Sequence, residues 1–107
     1  MDSDVILALI TVPDQDTADR LANALVEKRL AACVNIIPDL KSVYRWQGDI
    51  CRDDESLLLV KTVRSRFDEL KAAVIELHPY KLPEIIAVDV VAGLEAYLAW
   101  VAEETLV

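Results

Sequence analysis

Glycine and proline are scarce in this sequence, which has two glycines and four prolines. Disordered and low-complexity chains are rich in such residues and poor in apolar ones, whereas 54% of the residues here are apolar. These classes are therefore excluded, and we expect mostly regular secondary structure. A length of 107 residues suits one domain with a hydrophobic core, so we assign residues 1–107 to a single domain.

Basic residues are also few, with 11 Lys and Arg against 19 Asp and Glu, for a net charge of -8. Binding to phosphate backbones or anionic lipid depends on clustered Lys and Arg, so we expect no nucleic-acid partner. No apolar run approaches the roughly 20 residues that cross a bilayer, and the start, MDSDV, is acidic where a signal peptide would be basic. We expect no membrane partner and a cytoplasmic location.

Thiol and imidazole side chains, which soft metals prefer as ligands, are limited to two cysteines and one histidine. Cys33 and Cys51 lack CxxC spacing, which predicts free thiols in a reducing compartment. Gly48 and Gly93 are too few for a glycine-rich phosphate cradle. A cysteine nucleophile would need His78 as its base, and nothing in the sequence shows that His78 and Cys33 meet, so we predict that the protein is not an enzyme.

The apolar pattern predicts strands and helices in a recognisable order. The predicted elements are a strand at 5–12, a helix from Asp14 to Leu30, strands at 33–47 and 50–63, a helix from Ser65 to His78, a strand at 84–91 and a helix from Gly93 to Glu104. The first and last strands read as buried on both faces, and Pro38 predicts an edge or a bulge. This order predicts an α+β, ferredoxin-like βαββαβ sandwich with a long hairpin and an extra C-terminal helix.

The predicted hairpin is longer than the helices beside it. A strand from Val34 to Gln47 spans about 46 Å, whereas a helix from Asp14 to Leu30 spans roughly 25 Å. The tip carries Tyr44, Trp46 and Ile50, and an exposed strand edge with aromatic residues favours aggregation unless something covers it. We predict a closed homo-oligomer with these three residues in its interface. The alternative is a hairpin folded back onto its own chain.

Four stretches of the sequence together resemble one protein family. They are AACVNIIPDLKSVYRWQGDI at 31–50, ESLLLVKT at 55–62, HPYKLPEI at 78–85 and GLEAYLAW at 93–100. In this order they resemble the CutA family of divalent cation tolerance proteins over nearly the whole chain. The resemblance implies a ferredoxin-like fold, a homotrimer similar to the PII signalling proteins, and a role in tolerance to copper and other divalent cations.

The resemblance also implies metal ligands. Cys33 and His78 match the family's AxC and HPY positions, and soft metals prefer thiolate and imidazole ligands. Two further ligand positions of the family are occupied here by Ile10 and Leu77, which have no donor atom. We therefore expect Cu(II) or another divalent cation as a ligand that is not essential to the protein.

The two cysteines are predicted to lie far apart. If Gln47 and Gly48 form the turn, Cys33 lies opposite Thr62 and roughly 36 Å along the hairpin from Cys51. One ion cannot bridge that distance, and a disulfide needs Cα atoms within about 7 Å. A metal site would have to combine residues across subunits, or use one cysteine or histidine with carboxylates.

His78 and its neighbours leave several interpretations open. A histidine after the last turn of a helix interacts well with the negative helix end, which is a structural role without a ligand. Alternatively, Lys61, His78, Tyr80 and Glu84 line an intersubunit cleft for a small-molecule effector, as in a PII-like signalling module. A third function is that of a purely structural trimeric scaffold.

The acidic residues 53–55 are interpreted as solvated surface that discourages edge pairing.

Overall fold

A computed structural model describes residues 4–106 of the chain. In chain order the elements are β1 (Val5–Val12), α1 (Gln15–Glu27), β2 (Cys33–Trp46), β3 (Asp49–Val63), a 3-10 turn (Arg64–Arg66), α2 (Phe67–Leu77), β4 (Ile85–Asp89) and α3 (Glu95–Glu104). The predicted order of strands and helices is thus confirmed. None of the helices in this part of the chain is long and apolar enough to cross a membrane.

The four strands form one antiparallel sheet in the order β2-β3-β1-β4. α1 and α2 pack on one face of this sheet through a core that takes alternate residues from β1 and β3. Its buried members include Ala8, Ile10, Val12, Ala18, Leu21, Leu25, Leu58, Val60, Leu70 and Val74. Each fully buried large aliphatic side chain contributes about 1.5–3 kcal/mol. The arrangement is the predicted α+β, ferredoxin-like fold.

Local sequence accounts for both ends of α1. The Asp14 carboxylate accepts a hydrogen bond of 2.8 Å from the backbone N–H of Thr17, and this bond holds the pKa of Asp14 below its usual value. At the other end Arg29 adopts a left-handed φ of 57°. The backbone N–H of Leu30 then donates to the Leu25 carbonyl at 2.9 Å, and the chain turns toward β2.

The opposite face of the sheet is only partly covered. α3 packs over one end of it, where Val101 clusters with Val5 and Val63. The rest, which we call the open face, carries half-buried or exposed apolar side chains. They are Leu7, Leu9, Ile37, Leu57, Leu59, Ile86 and Val88. A sheet face of this composition is normally covered by a second layer.

The hairpin register differs by one residue from the prediction, because Cys33 pairs with Lys61 and not with Thr62. The cause is a β-bulge at Pro38 and Asp39, where two residues of β2 stand opposite one residue of β3. Asp39 has a φ of 62°, and Pro38 has no N–H to donate to the ladder. The sequence indicated a bulge at Pro38 but not the shift in register that it causes.

The hairpin extends beyond the rest of the sheet. β1 pairs with β3 only as far as Ser56, so residues 40–55 of the hairpin pair with each other alone. The chain is 45 Å long on its longest axis, and its radius of gyration is 14.4 Å, where about 13 Å is expected of a compact chain of this length. At the tip, Gln47 and Gly48 have φ angles of 50° and 88°, as in a two-residue type I′ turn.

Several elements differ from their predicted bounds or burial: α1 ends at Glu27 and not at Leu30, and α3 begins at Glu95 and not at Gly93. The strand at 84–91, predicted to be buried on both faces, is the shorter edge strand β4, in which Ile86 and Val88 are 53% and 50% exposed. A continuous apolar run favours a buried strand, but it does not show that the rest of the same chain buries it. α2 begins at Phe67 and not at Ser65, because Arg64–Arg66 form the 3-10 turn.

Candidate functional site

The loop between α2 and β4 meets the end of β1 at the root of the hairpin. Its first residue, His78, is only 7% exposed. The imidazole Nε2 lies 2.7 Å from the carbonyl oxygen of Thr11, and Nδ1 lies 3.1 Å from the backbone nitrogen of Tyr80. Both ring nitrogens are therefore hydrogen-bonded within the chain.

These two contacts assign the tautomer of His78. The Tyr80 N–H can only donate, so Nδ1 accepts and carries no proton. The Thr11 carbonyl can only accept, so the proton is on Nε2. A neutral imidazole satisfies both partners with one proton. Loss of either partner would leave a buried polar group unsatisfied, at a cost of about 1–3 kcal/mol.

Tyr80 extends this network to β3. Its ring packs on the imidazole of His78 with centroids 4.8 Å apart, and its hydroxyl donates to the Glu55 carboxylate at 3.0 Å. Glu55 is 8% exposed, so the interpretation of this residue as solvated surface is wrong. Burial, followed by the hydrogen bond to Glu55, raises the pKa of the Tyr80 hydroxyl and keeps it a donor.

A second phenol and carboxylate lie beside the first pair. The Tyr44 hydroxyl donates to the Asp53 carboxylate, and this hydrogen bond raises the pKa of Tyr44 to about 12. Asp53 lies two residues before Glu55 on the same face of β3, about 7 Å along the strand. Asp53 and Tyr44 also contribute to the raised pKa of Tyr80, after burial and Glu55. We call Tyr44, Asp53, Glu55, His78 and Tyr80 the root cluster.

Cys33 lies in a different cluster, on the open face. It stands opposite Lys61, whose Nζ is 4.0 Å from the cysteine Sγ. The amide of Asn35 donates to the same sulfur at 3.9 Å, and its oxygen accepts from Lys61. Burial raises the pKa of the Tyr97 hydroxyl in α3, and the Cys33 thiol raises this pKa further. The thiol thus lies beside an amine and an amide.

The structure does not bring Cys33 and His78 together within one chain. Lys61, the partner of Cys33, also pairs with Leu7 of β1, whereas His78 contacts Thr11 on the same strand. The four residue steps between these levels span about 13 Å. In the described part of the chain, no group of three or more His, Cys, Asp or Glu side chains is placed to hold a metal ion.

The other two ligand positions implied by the family resemblance face the core. Ile10 is fully buried, and Leu77 packs against the same core cluster. The side chains that a single chain brings together therefore do not fit a soft-metal site. Metal binding by Cys33 and His78 stays a prediction, and it requires ligands from another chain.

The predicted effector cleft is also incomplete within one chain. His78 and Tyr80 contact each other, Lys61 lies beside Cys33, and Glu84 is exposed. Sequence analysis assigned Glu55 to solvated surface and not to the site, although it opens one of the stretches that carry the family resemblance. Its contact with Tyr80 joins residues 25 positions apart, which local patterns do not reveal.

Comparison with known families identifies the chain. The sequence profile described as "CutA1 divalent ion tolerance protein" matches residues 6–104. The chain belongs to this family. One relative in the CutA1 family is the divalent-cation tolerance protein CutA of Thermus thermophilus, which is 54% identical over 99 residues, or 92% of this chain and 96% of that protein.

Two further comparisons describe the extent of the CutA1 likeness. Protein CutA of Homo sapiens is 45% identical over 101 residues, which is 94% of this chain and 56% of the human protein, so the chain spans about half the length of that relative. The solved structure of the divalent cation tolerance protein from Thermus thermophilus superposes with a TM-score of 0.93 at 52% identity, covering 94% of this chain and 98% of that one. The resemblance and the fold predicted from the sequence are both confirmed.

Proposed function

We propose that this protein acts in tolerance of divalent cations as a homotrimer, assembled through its hairpin and the open face of its sheet. The role rests on membership of the CutA1 family, whose profile and Thermus thermophilus member carry that description. The trimer is supported by the apolar surface that one chain leaves exposed.

The part of the hairpin beyond the sheet carries this proposal. Apolar side chains are exposed on both of its faces, with Tyr44 and Trp46 at 41% each on one face and Val43 and Ile50 at 57% and 65% on the other. Exposure of such surface on a long strand edge is unfavourable and favours association. Further copies of the chain would cover both faces in a closed assembly.

The open face and the edge of β4 support the same assembly. Ile37, Ile86 and Val88 are exposed there to between 42% and 53%, and β4 ends the sheet with an unpaired strand edge. Apolar patches of this kind mark interaction sites on soluble proteins. Contacts between copies would place these side chains in a shared core.

The mass of the protein in solution tests the trimer. We expect light scattering after gel filtration to give about 36 kDa, three times the 11.9 kDa of one chain. Ile50→Glu should shift the mass toward one chain, because it places a charge in the interface. Val26→Glu is the matched control, since Val26 is 43% exposed on α1, which is not part of the hairpin. A wild-type mass of one chain at all concentrations would contradict the proposal.

We also propose that the protein is not an enzyme and acts in the cytoplasm. Both ring nitrogens of His78 are hydrogen-bonded, so the one histidine of the chain is not available as a base for Cys33. Cys33 and Cys51 are free thiols, which suits a reducing compartment. The net charge of -8 argues against nucleic acid or anionic lipid as a partner.

A small-molecule effector module is a second candidate function. The root cluster favours it, because two phenols and two carboxylates converge beside His78 at one place in the fold. Calorimetric titration of the full chain with Cu(II), Zn(II), nucleotides and small carboxylates separates the alternatives. Binding of a nucleotide or carboxylate without metal would favour the effector module, and no binding at all would favour a purely structural trimer.

A further inference from the structure

The one histidine of the chain is held inside the fold by both of its ring nitrogens. We infer that His78 is a structural residue that joins the end of β1 to the loop before β4, and that it is not a metal ligand. The inference limits the proposed metal role to other side chains. It does not depend on the trimer, because both hydrogen-bond partners belong to the same chain.

Only one of the two hydrogen bonds is compatible with a metal on the ring. Histidine ligands usually donate their second ring N–H to a carbonyl or carboxylate, and the bond from Nε2 to Thr11 has that form. The bond from the Tyr80 N–H to Nδ1 does not, because it uses the lone pair that a metal would need. Metal binding at His78 would require the Tyr80 N–H to move away.

Tyr80 is held in place by three contacts. Its N–H donates to Nδ1 of His78, its ring packs on the imidazole at 4.8 Å, and its hydroxyl donates to Glu55 at 3.0 Å. Moving Tyr80 would also remove this hydrogen bond from the buried Glu55 carboxylate, which is unfavourable. The intervening Pro79 restricts the backbone between the two rings. Releasing the lone pair of His78 would thus disrupt several contacts together.

The described residues nearest His78 add no thiol or second imidazole for a soft metal, and the carboxylates of Asp53 and Glu55 already accept hydrogen bonds from Tyr44 and Tyr80. Leu77 precedes it and packs against the apolar core, and Cys33 lies with Lys61 on another part of the sheet. A neighbouring subunit could add donors near the ring, but it could not free Nδ1 from the Tyr80 N–H. The role left to His78 is to orient Tyr80 toward Glu55.

Nitrogen NMR of the imidazole tests the inference directly on the full-length chain labelled with ¹⁵N. Because the chain has one histidine, every imidazole signal belongs to His78. We expect a proton on Nε2, none on Nδ1, and ring resonances that stay in place when Zn(II) is added. A proton on Nδ1, or ring resonances that shift in proportion to bound Zn(II), would overturn the inference.

Copper titration of variants gives an independent readout. His78→Gln should bind Cu(II) with an affinity within about twofold of wild type, while its melting temperature falls because two hydrogen bonds are altered. Cys33→Ser is the matched control, and a loss of affinity confined to it would support the inference by assigning the metal to the thiol. A loss of roughly tenfold or more in folded His78→Gln would contradict it. The solution mass tests the trimer separately.

Discussion

At the scale of residues, the fold keeps tyrosine hydroxyls protonated by pairing them with carboxylates. Tyr44 donates to Asp53 and Tyr80 donates to Glu55, and the pKa of each phenol is raised. A raised pKa in the folded state means that the neutral phenol stabilises the fold below the unfolded pKa, near 10. This contribution is lost as the pH rises from about 10 toward the folded value.

Asp53→Asn should lower the pKa of Tyr44 more than that of the other two tyrosines in an alkaline titration followed by absorbance. In wild type we expect all three tyrosines to ionise above their ordinary pKa, with Tyr44 near 12. Removing the Asp53 charge should lower the pKa of Tyr44 toward 10, because the hydrogen bond to this carboxylate is the main cause of the shift.

Asp54→Asn provides the matched control for this titration. Asp54 neighbours Asp53 in sequence but pairs with Lys41. The substitution should leave the tyrosine titration unchanged. Equal effects of the two variants would show that general charge, and not the hydrogen bond to Asp53, governs the titration of Tyr44.

Residue-scale contacts were the least predictable part of the candidate site. The bond from His78 to Thr11 joins residues 67 positions apart, and the bond from Tyr80 to Glu55 joins residues 25 apart. Sequence patterns report local periodicity and turn chemistry, so they identified His78 and Tyr80 as unusual without their partners. They also assigned Glu55 to the surface, because an acidic run is usually solvated.

At the scale of elements, the long hairpin depends on its two-residue turn. Gln47 and Gly48 both have positive φ, which suits Asn and Gly better than other residues. The position of this turn was predictable from the sequence Gln-Gly-Asp between two apolar strands. The edge position of β4 was not, because an apolar run does not specify which surface buries it.

Turn substitutions should change stability in opposite directions. Gly48→Ala should lower the free energy of unfolding by about 1–2 kcal/mol, because an L-residue is strained at this φ. An added Cβ would meet no atom within 4 Å, so the cost is in the backbone alone. Gln47→Asn should raise the free energy of unfolding, since Asn-Gly is preferred in type I′ turns. Both effects are measurable by urea unfolding at one protein concentration.

A reversed order of stability would contradict the assigned turn geometry. If Gly48→Ala were as stable as wild type and Gln47→Asn less stable, Gln47 and Gly48 could not both have positive φ. Their geometry in the folded protein would then differ from a type I′ turn.

At the scale of the whole molecule, one face of the sheet is covered by helices α1 and α2, and the other is largely exposed. The helix-covered face has a closed core, whereas the open face and the outer hairpin expose large apolar side chains. If sister chains cover that surface, folding and assembly are linked, because binding to the folded state stabilises it.

The melting temperature should therefore rise with protein concentration. Calorimetry over about a hundredfold range of concentration measures this directly, since mass action favours the assembled state. Ile50→Glu should melt at a lower temperature than wild type and depend less on concentration, whereas Val26→Glu should behave as wild type. A wild-type melting temperature that is constant over the whole range would contradict linked assembly.

The bulge at Pro38 and Asp39 affects the direction of the outer hairpin but not which side chains lie on each of its faces. Two residues of β2 stand at the bulge opposite one residue of β3. Without Asp39, Ile37 would still pair with Leu57 and Leu40 with Glu55, and the side chains of β2 beyond the bulge would stay on their present faces. The bend and extra twist of the bulge would be lost. Deleting this one residue would thus change the direction of the outer hairpin without changing which side chains lie on each of its faces. The direction of the hairpin and the composition of its faces are therefore set by different residues.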